Sequence, residues 1–344
     1  MVYEGPRRVR VRCDLPEPPR CGPGDALVRV TCAAICGTDL HPYRGEIPGF
    51  APGTVLGHEF VGTVVAAGAD AGHRPGDEVF ASDLISCGTC RVCARGWHYQ
   101  CPSATLFGYS TVVGAAVDGG QADLVLVPHA AHVLARRPAS VTPEQALFVC
   151  DTLTTAHTAI RRSSVTPGDS VAVVGGGPVG LLSAMCAREA GAARVVVADP
   201  LPARRAAAEA LGFAAVAPDG LADALAASGG PADAVVEAVG SSAALAQAML
   251  VAGPRGRIAV VGAHHATDAP LPTGTGFARE LTVRFVVGDP IADRAPALEL
   301  ISSGRLDPAA LVSHRFPLDE APAAYDLFDR GGALKVVLYP GYPG

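Results

Sequence analysis

The sequence predicts an α/β protein of two parts, a β-rich domain and a doubly wound parallel sheet. Three observations predict this. At 344 residues the chain exceeds what one hydrophobic core comfortably organises. A short apolar strand, Val171–Val174, leads through the glycine turn 175–180 into a helical stretch. Six strand-like runs then lie between 171 and 287, with Ala-rich helical segments between several of them. Residues 1–150 differ: they are dense in Val, Gly and Pro, and their strand-like pieces are short.

Composition narrows the function classes. The net charge is −6 and basic residues form no long run, which gives nucleic acid and anionic membranes no electrostatic handle. No apolar stretch approaches the roughly 18–20 residues that cross a bilayer. The N-terminal MVYEGPRRVRVRCDLPEPP lacks a signal-peptide apolar region, so the expected compartment is the reducing cytoplasm. Grouped cysteines there point to metal or catalysis rather than disulfides.

In chain order, Ala26–Thr31 reads as a short strand of the β-rich part. Cys36-Gly37-Thr38-Asp39-Leu40-His41 follows, and then Gly57-His58-Glu59 opens the strand Phe60–Ala66. Singly, each residue has an ordinary reading: a lone Cys is usually a small buried apolar group, and a lone His or Glu a surface one. Together with Asp151 they form a thiolate, imidazole and carboxylate set suited to zinc. Three firm protein ligands with one exchangeable position is the catalytic pattern.

The next segment, CGTCRVCARGWHYQC, spaces Cys87, Cys90, Cys93 and Cys101 as C-x2-C-x2-C-x7-C. Four thiolates close a tetrahedron around zinc and leave no open position, so such a site is structural. Gly88 and Gly96 provide the permissive backbone of such a knuckle. An iron–sulfur cluster is a rival reading, since Pro102 follows the last cysteine, although the final gap of seven is longer than in bacterial ferredoxins.

In the second part, Gly175-Gly176-Gly177-Pro178-Val179-Gly180 matches G-x-G-x-x-G. The glycines serve the tight turn, the close approach to a pyrophosphate, and the helix–strand contact. Pro178 fits an early helical position, and the helix N-terminus faces the phosphates. A second strand, Arg194–Ala198, ends at Asp199, about 20 residues on, where an acid accepts hydrogen bonds from ribose hydroxyls. This favours NAD over NADP. Arg204 and Arg205 lie just beyond, placed either to stack on adenine or to greet a 2′-phosphate. Strand-like runs at 214–216, 234–237, 257–261 and 281–287 continue the alternation, and Lys335–Leu338 is a final strand.

These motifs resemble the zinc-dependent medium-chain alcohol dehydrogenases. The resemblance rests on CGTDLH at Cys36–His41, GHEFVGTVVAAG at Gly57–Gly68 and RPGDEV at Arg74–Val79. It also rests on the four-cysteine lobe, GGQADLVLVP at Gly119–Pro128, the glycine fingerprint, and HRFPLDEAPAAYDLF at His314–Phe328. They span nearly the whole chain in the family's order. The resemblance implies a GroES-like catalytic domain over residues 1–152 and 291–344, and an inserted Rossmann domain over 153–290. It implies two zinc ions per subunit, one structural in the lobe and one catalytic. The catalytic ion falls to Cys36, His58 and Asp151, with Glu59 as an approaching or exchangeable ligand. Cys150 competes with Asp151 for the third position, and Ala156, where relatives usually carry Gly, favours Asp151.

The resemblance further implies a proton relay from Thr38 through a cofactor ribose hydroxyl to His41. The nicotinamide would be held by Thr155 and by the backbone at Val261–Gly262 and Val287–Gly288, and Lys335 would reach the pyrophosphate. Relatives commonly carry a bulky apolar residue at the position of Asp83. An inward Asp83 would favour a polar, hydroxylated or amine-bearing substrate, and an outward one would face solvent or an arginine. The expected partner is a small alcohol or carbonyl compound. Homodimers or homotetramers are expected, with Leu281–Val287 as a joining edge. Against this stand a non-catalytic zinc- and nucleotide-binding relative and a zinc-free quinone reductase of the same superfamily. The complete ligand and relay set opposes the first, and Cys36, His58 and the cysteine lobe oppose the second.

Overall fold

A computed structural model describes residues 1–16, 18–264, 268 and 270–341. The chain divides into two compact units, Met1–Asp151 with Asp289–Gly344, and Thr152–Gly288.

The first unit is built on a seven-stranded sheet ordered Val312–Pro317, Lys335–Tyr339, Ala26–Ile35, Phe60–Ala67, Glu78–Ala81 and Leu134–Arg136, with Leu124–Val127 also paired to Ala26–Ile35. The long strand Ala26–Ile35 alternates buried and exposed side chains in its first half and is buried throughout its last four residues. The change follows its neighbours. Leu124–Val127 pairs with its beginning and Lys335–Tyr339 with its end.

Register decides which residues meet. Ala33 pairs with Phe60 and Ile35 with Val336, both antiparallel. The residues just after Ile35, just before Phe60 and just before Val336 therefore gather at one end of the sheet. Those residues are Cys36, His58 with Glu59, and Lys335. Gly57 shapes the approach: its φ is +99°, and a Cβ there would lie 2.8 Å from the Gln121 backbone nitrogen.

The second unit is a six-stranded parallel sheet ordered Ala214–Val216, Arg194–Ala198, Ser170–Val174, Ala232–Glu237, Ala252–Val260 and Thr282–Phe285. Ser170–Val174 is buried along its whole length, as a central parallel strand covered on both faces must be. The strand order reverses beside it, which makes the carboxyl ends of Ser170–Val174 and Ala232–Glu237 the topological switch point. The expected doubly wound sheet is therefore present, and the six expected strands are its members. Thr282–Phe285 lies at one edge of it and is largely exposed. Among the described residues no helix is long and apolar enough to cross a membrane.

Candidate functional site

Cys36, His58 and Asp151 converge in the first unit, with one ligand atom from each lying within 4.8 Å of the others. Cys36 Sγ is 3.6 Å from Asp151 Oδ2, and His58 Nε2 is 3.7 Å from the same oxygen. His58 Nε2 is buried and has no hydrogen-bond partner. A buried imidazole nitrogen left unpaired among a thiol and a carboxylate fits a metal ion, which would supply the missing interaction. Burial by itself would lower the proton affinity of His58. Asp39, Asp151 and Cys36 outweigh it and hold the imidazole well above its usual range. The pocket thus attracts a cation.

Cys150 is turned away from this group. Its thiol donates to the Phe60 and Ala146 carbonyls, at 3.4 and 3.6 Å. Side-chain direction thus separates two adjacent residues that spacing leaves equivalent.

Glu59 is engaged elsewhere. Its carboxylate is paired with the Lys335 ammonium, and both side chains are fully buried. The ammonium also lies 5.6 Å from the centre of the Phe148 ring. Lys335, expected at the cofactor pyrophosphate, is in this structure the counter-ion of Glu59. It is buried, because sheet register carries it to the ligand end of the unit. Glu59 stands beside the ligand trio rather than within it.

Asp39 carries no role on sequence grounds, although it sits inside CGTDLH. The structure gives it one. Cys36 caps the helix Gly37–Arg44, and Asp39 occupies the third helical position, where an acid reaches back to the cap. Its Oδ2 accepts the Cys36 backbone N–H at 2.9 Å. Its Oδ1 lies 3.2 Å from His58 Nδ1, an ionic contact short of an aligned hydrogen bond. A carboxylate behind a metal-ligating histidine fixes the ring and its tautomer. The signal in the sequence is an acid three residues after a ligand cysteine at a helix start.

The same helix carries Thr38, half-buried, and His41. His41 Nδ1 lies 2.6 Å from Glu46 Oε2, and both side chains retain solvent exposure.

The cysteine lobe places all four sulfurs within 4.8 Å of one another. Cys87–Cys93, Cys90–Cys101 and Cys87–Cys101 are 4.0, 3.9 and 3.6 Å apart. A sulfur tetrahedron with Zn–S bonds of ~2.3 Å has edges of ~3.8 Å, so these spacings suit one ion. They are too long for disulfides, and a multi-iron cluster would spread its cysteines over separate irons. Backbone N–H groups of Thr89 and Cys90 draw the Cys87 thiol down to about 6. A further anchor is not legible in the sequence. Asp289 accepts from the His98 backbone N–H at 3.1 Å and contacts His98 Nδ1 at 2.8 Å, 191 residues apart.

Asp83 faces neither solvent nor an arginine. It is buried, and its Oδ2 accepts a 2.5 Å hydrogen bond from the Tyr99 hydroxyl.

In the second unit the glycine turn forms a cradle at the switch point. Gly175 has φ +103°, and a Cβ at position 180 would lie 1.8 Å from the Gly175 carbonyl oxygen. Only glycine allows that approach. Gly177 caps the helix Pro178–Glu189 without a capping side chain, leaving the first amides, Val179 among them, for an anion. A Cβ on Gly177 would approach nothing closer than Arg204 Nη1 at 3.9 Å, so backbone and solvent meet there. These features fit a dinucleotide pyrophosphate. Asp199 is buried. Its oxygens accept the Gly176 and Leu201 backbone N–H groups, each at 2.8 Å, with Arg204 Nη1 3.4 Å away. Arg205 donates to the Asp199 carbonyl instead. Val261 and Gly262 donate to the Glu237 carbonyl at the end of the adjoining strand. Gly288 packs on Thr155, since a Cβ there would lie 2.1 Å from its hydroxyl oxygen, and Val287 just before it is exposed.

Comparison with known proteins adds independent findings. Residues 22–138 match the alcohol dehydrogenase GroES-like domain, and residues 178–303 match the zinc-binding dehydrogenase domain. A protein of Mycobacterium tuberculosis named a probable zinc-binding alcohol dehydrogenase is 38% identical over 329 residues, covering 94% of this chain and 84% of that one. The solved alcohol dehydrogenase of Thermus sp. ATN1 is 39% identical, covers 98% of this chain and 99% of its own, and superposes with a TM-score of 0.93. A zinc-binding dehydrogenase structure from Sinorhizobium meliloti, bound to NADP, is 31% identical, with 98% of each chain covered and a TM-score of 0.84.

Proposed function

Because the chain belongs to the zinc-binding alcohol dehydrogenase family of the medium-chain superfamily, we propose that it moves a hydride between an alcohol and NAD, giving an aldehyde or ketone. It is an oxidoreductase of that family, and zinc fits both of its ligand clusters. The observation that carries the reading is the Cys36, His58 and Asp151 trio, with the unpaired His58 Nε2 at its centre.

When bound there, zinc supplies a Lewis acid for the substrate oxygen, and the nicotinamide supplies the hydride acceptor. The residues do the rest. Asp39 orients His58 and holds Cys36 through its backbone. The Thr38 hydroxyl would take the alcohol proton as it gives up its own, and His41, beside Glu46, would release a proton to solvent. Thr155 with Gly288, and the backbone at Val261–Gly262 and Val287, hold the nicotinamide. Gly175, Gly177, Pro178, Val179 and Gly180 hold the pyrophosphate, and Asp199 the adenosine ribose. Cys87, Cys90, Cys93 and Cys101 hold the structural ion.

Asp199 favours NAD by opposing a 2′-phosphate. Arg204 and Arg205 pull the other way, and the Sinorhizobium relative is bound to NADP, so both nucleotides belong in the assay. The protein would act in the cytoplasm on small molecules, without nucleic acid or membrane. Two or four copies would join through the exposed edge strand Thr282–Phe285.

The test is a substrate panel of alcohols and carbonyls followed by NADH absorbance, with and without a zinc chelator. Turnover that the chelator abolishes and zinc restores is the expected result. Zinc-loaded protein that binds NADH yet converts nothing would overturn the reading.

A further inference from the structure

Asp83 is held in place from several sides. Its backbone N–H donates to the Cys150 carbonyl at 3.1 Å, one residue from the ligand Asp151, and its own carbonyl accepts from Phe107 at 3.2 Å. Tyr99, carried by the short turn His98–Gln100 of the cysteine lobe, donates to Oδ2. The charged groups that act on Asp83 most strongly are Asp151 and His58. The backbone contact to Cys150 thus holds the buried Asp83 next to the chain segment that carries the ligand Asp151.

Its other oxygen is the informative one. Asp83 Oδ1 is buried and has no hydrogen-bond partner. Unpaired buried carboxylate oxygens are costly and rare. His58 Nε2 is also buried without a partner, and there a metal ion would supply the missing interaction. A substrate whose reacting oxygen sits at the metal has its next carbon, and any group on that carbon, as the nearest candidate to complete Asp83. We infer that Asp83, positioned by Tyr99, selects alcohols that carry a second hydroxyl on the carbon next to the reacting one. A hydroxyl both donates and accepts, so it satisfies Oδ1 whether the carboxyl is ionised or not. A hydrocarbon leaves it bare. The cysteine lobe then does more than rivet the fold, since it delivers the residue that orients the selector.

The inference rests on the dehydrogenase reading above, and its test separates the two. Three probes share one carbinol: propane-1,2-diol, propan-2-ol and 1-aminopropan-2-ol. In wild-type enzyme kcat/KM for the diol should exceed that for propan-2-ol by about a hundredfold. In Asp83→Leu, and in Asp83→Leu/Tyr99→Phe, which leaves no orphaned tyrosine hydroxyl, the ratio should fall below about tenfold. Tyr99→Phe alone should lower the ratio less. Thermal melting identifies any variant that fails to fold. Calorimetry on NADH-saturated protein should show diol binding in the wild type that both leucine variants lose. A wild-type ratio near one, a ratio unchanged in the variants, or preference for the amino alcohol over the diol overturns the inference. If no alcohol turns over, the dehydrogenase reading fails, and calorimetry decides alone. Diol binding abolished by Asp83→Leu keeps the selector, and no diol binding removes it.

Discussion

Asp39 lies 3.2 Å from His58 Nδ1 through one oxygen and accepts the Cys36 backbone N–H through the other. One carboxylate thus organises two of the three candidate ligands, because Cys36 caps the helix on which Asp39 sits. Asp39→Asn keeps the shape and much of the cap but removes the charge behind the imidazole. Zinc affinity at this site should fall about 10–100-fold. Dialysis against graded chelator with metal analysis checks it. One ion per chain should leave early while the cysteine lobe keeps the other, and equal retention by wild type and variant would refute the role.

Lys335 and Glu59 form a fully buried pair. Removing one member of such a pair leaves an uncompensated charge in the interior. Lys335→Met should cost about 3–5 kcal/mol in urea unfolding. Lys335→Met/Glu59→Gln should recover most of that loss, since the charge goes with its partner. A single variant as stable as wild type would show that Glu59 carries no charge there.

Asp199 is buried and anchored by two backbone N–H groups of the glycine turn and the following loop. Asp199→Ala should weaken NADH binding about 10–100-fold and narrow the preference over NADPH. Fluorescence titration with both nucleotides measures this. An unchanged NADH-to-NADPH ratio would remove Asp199 from cofactor selection.

Asp329 pins the helix that carries Thr38 and His41, through Arg44 at 2.6 Å, and also meets Arg7 at 2.5 Å. Burial would raise its proton affinity, but Arg44 and Arg7 outweigh that and hold the carboxyl below its ordinary value. A carboxyl lowered on folding stabilises the fold above its unfolded pKa, near ~4, and that contribution is lost as pH falls through the lower folded value. Asp329→Asn should therefore be less stable by about 1 kcal/mol at neutral pH, a modest figure because both arginines are partly exposed. The deficit should shrink as pH falls through the lowered folded value. Denaturant titrations across pH check the sign, and a deficit that grows in acid would contradict it.

Much of the fold is legible because its signals are local. A strand, a glycine turn and a helix follow one another within residues 170–189, so the doubly wound sheet can be read directly. The cysteine lobe is equally plain, since its four thiols lie in one short segment. Cys36 and His58 stand out as donor types within the quoted motifs CGTDLH and GHEF, His58 just before a readable strand.

What the sequence determined by itself was an inventory: which donor atoms exist, and which of them share a turn, a cap or a strand end. Only the tertiary structure decided how they are paired. It turned Cys150 toward Phe60 and Asp151 toward Cys36, set Lys335 on Glu59 across 276 residues, and placed Tyr99 against Asp83. The physical reason is that backbone geometry reaches only a few residues along the chain. Which buried charge meets which depends on tertiary packing and strand register, and a shift of one residue would send Lys335 to the opposite face of its sheet.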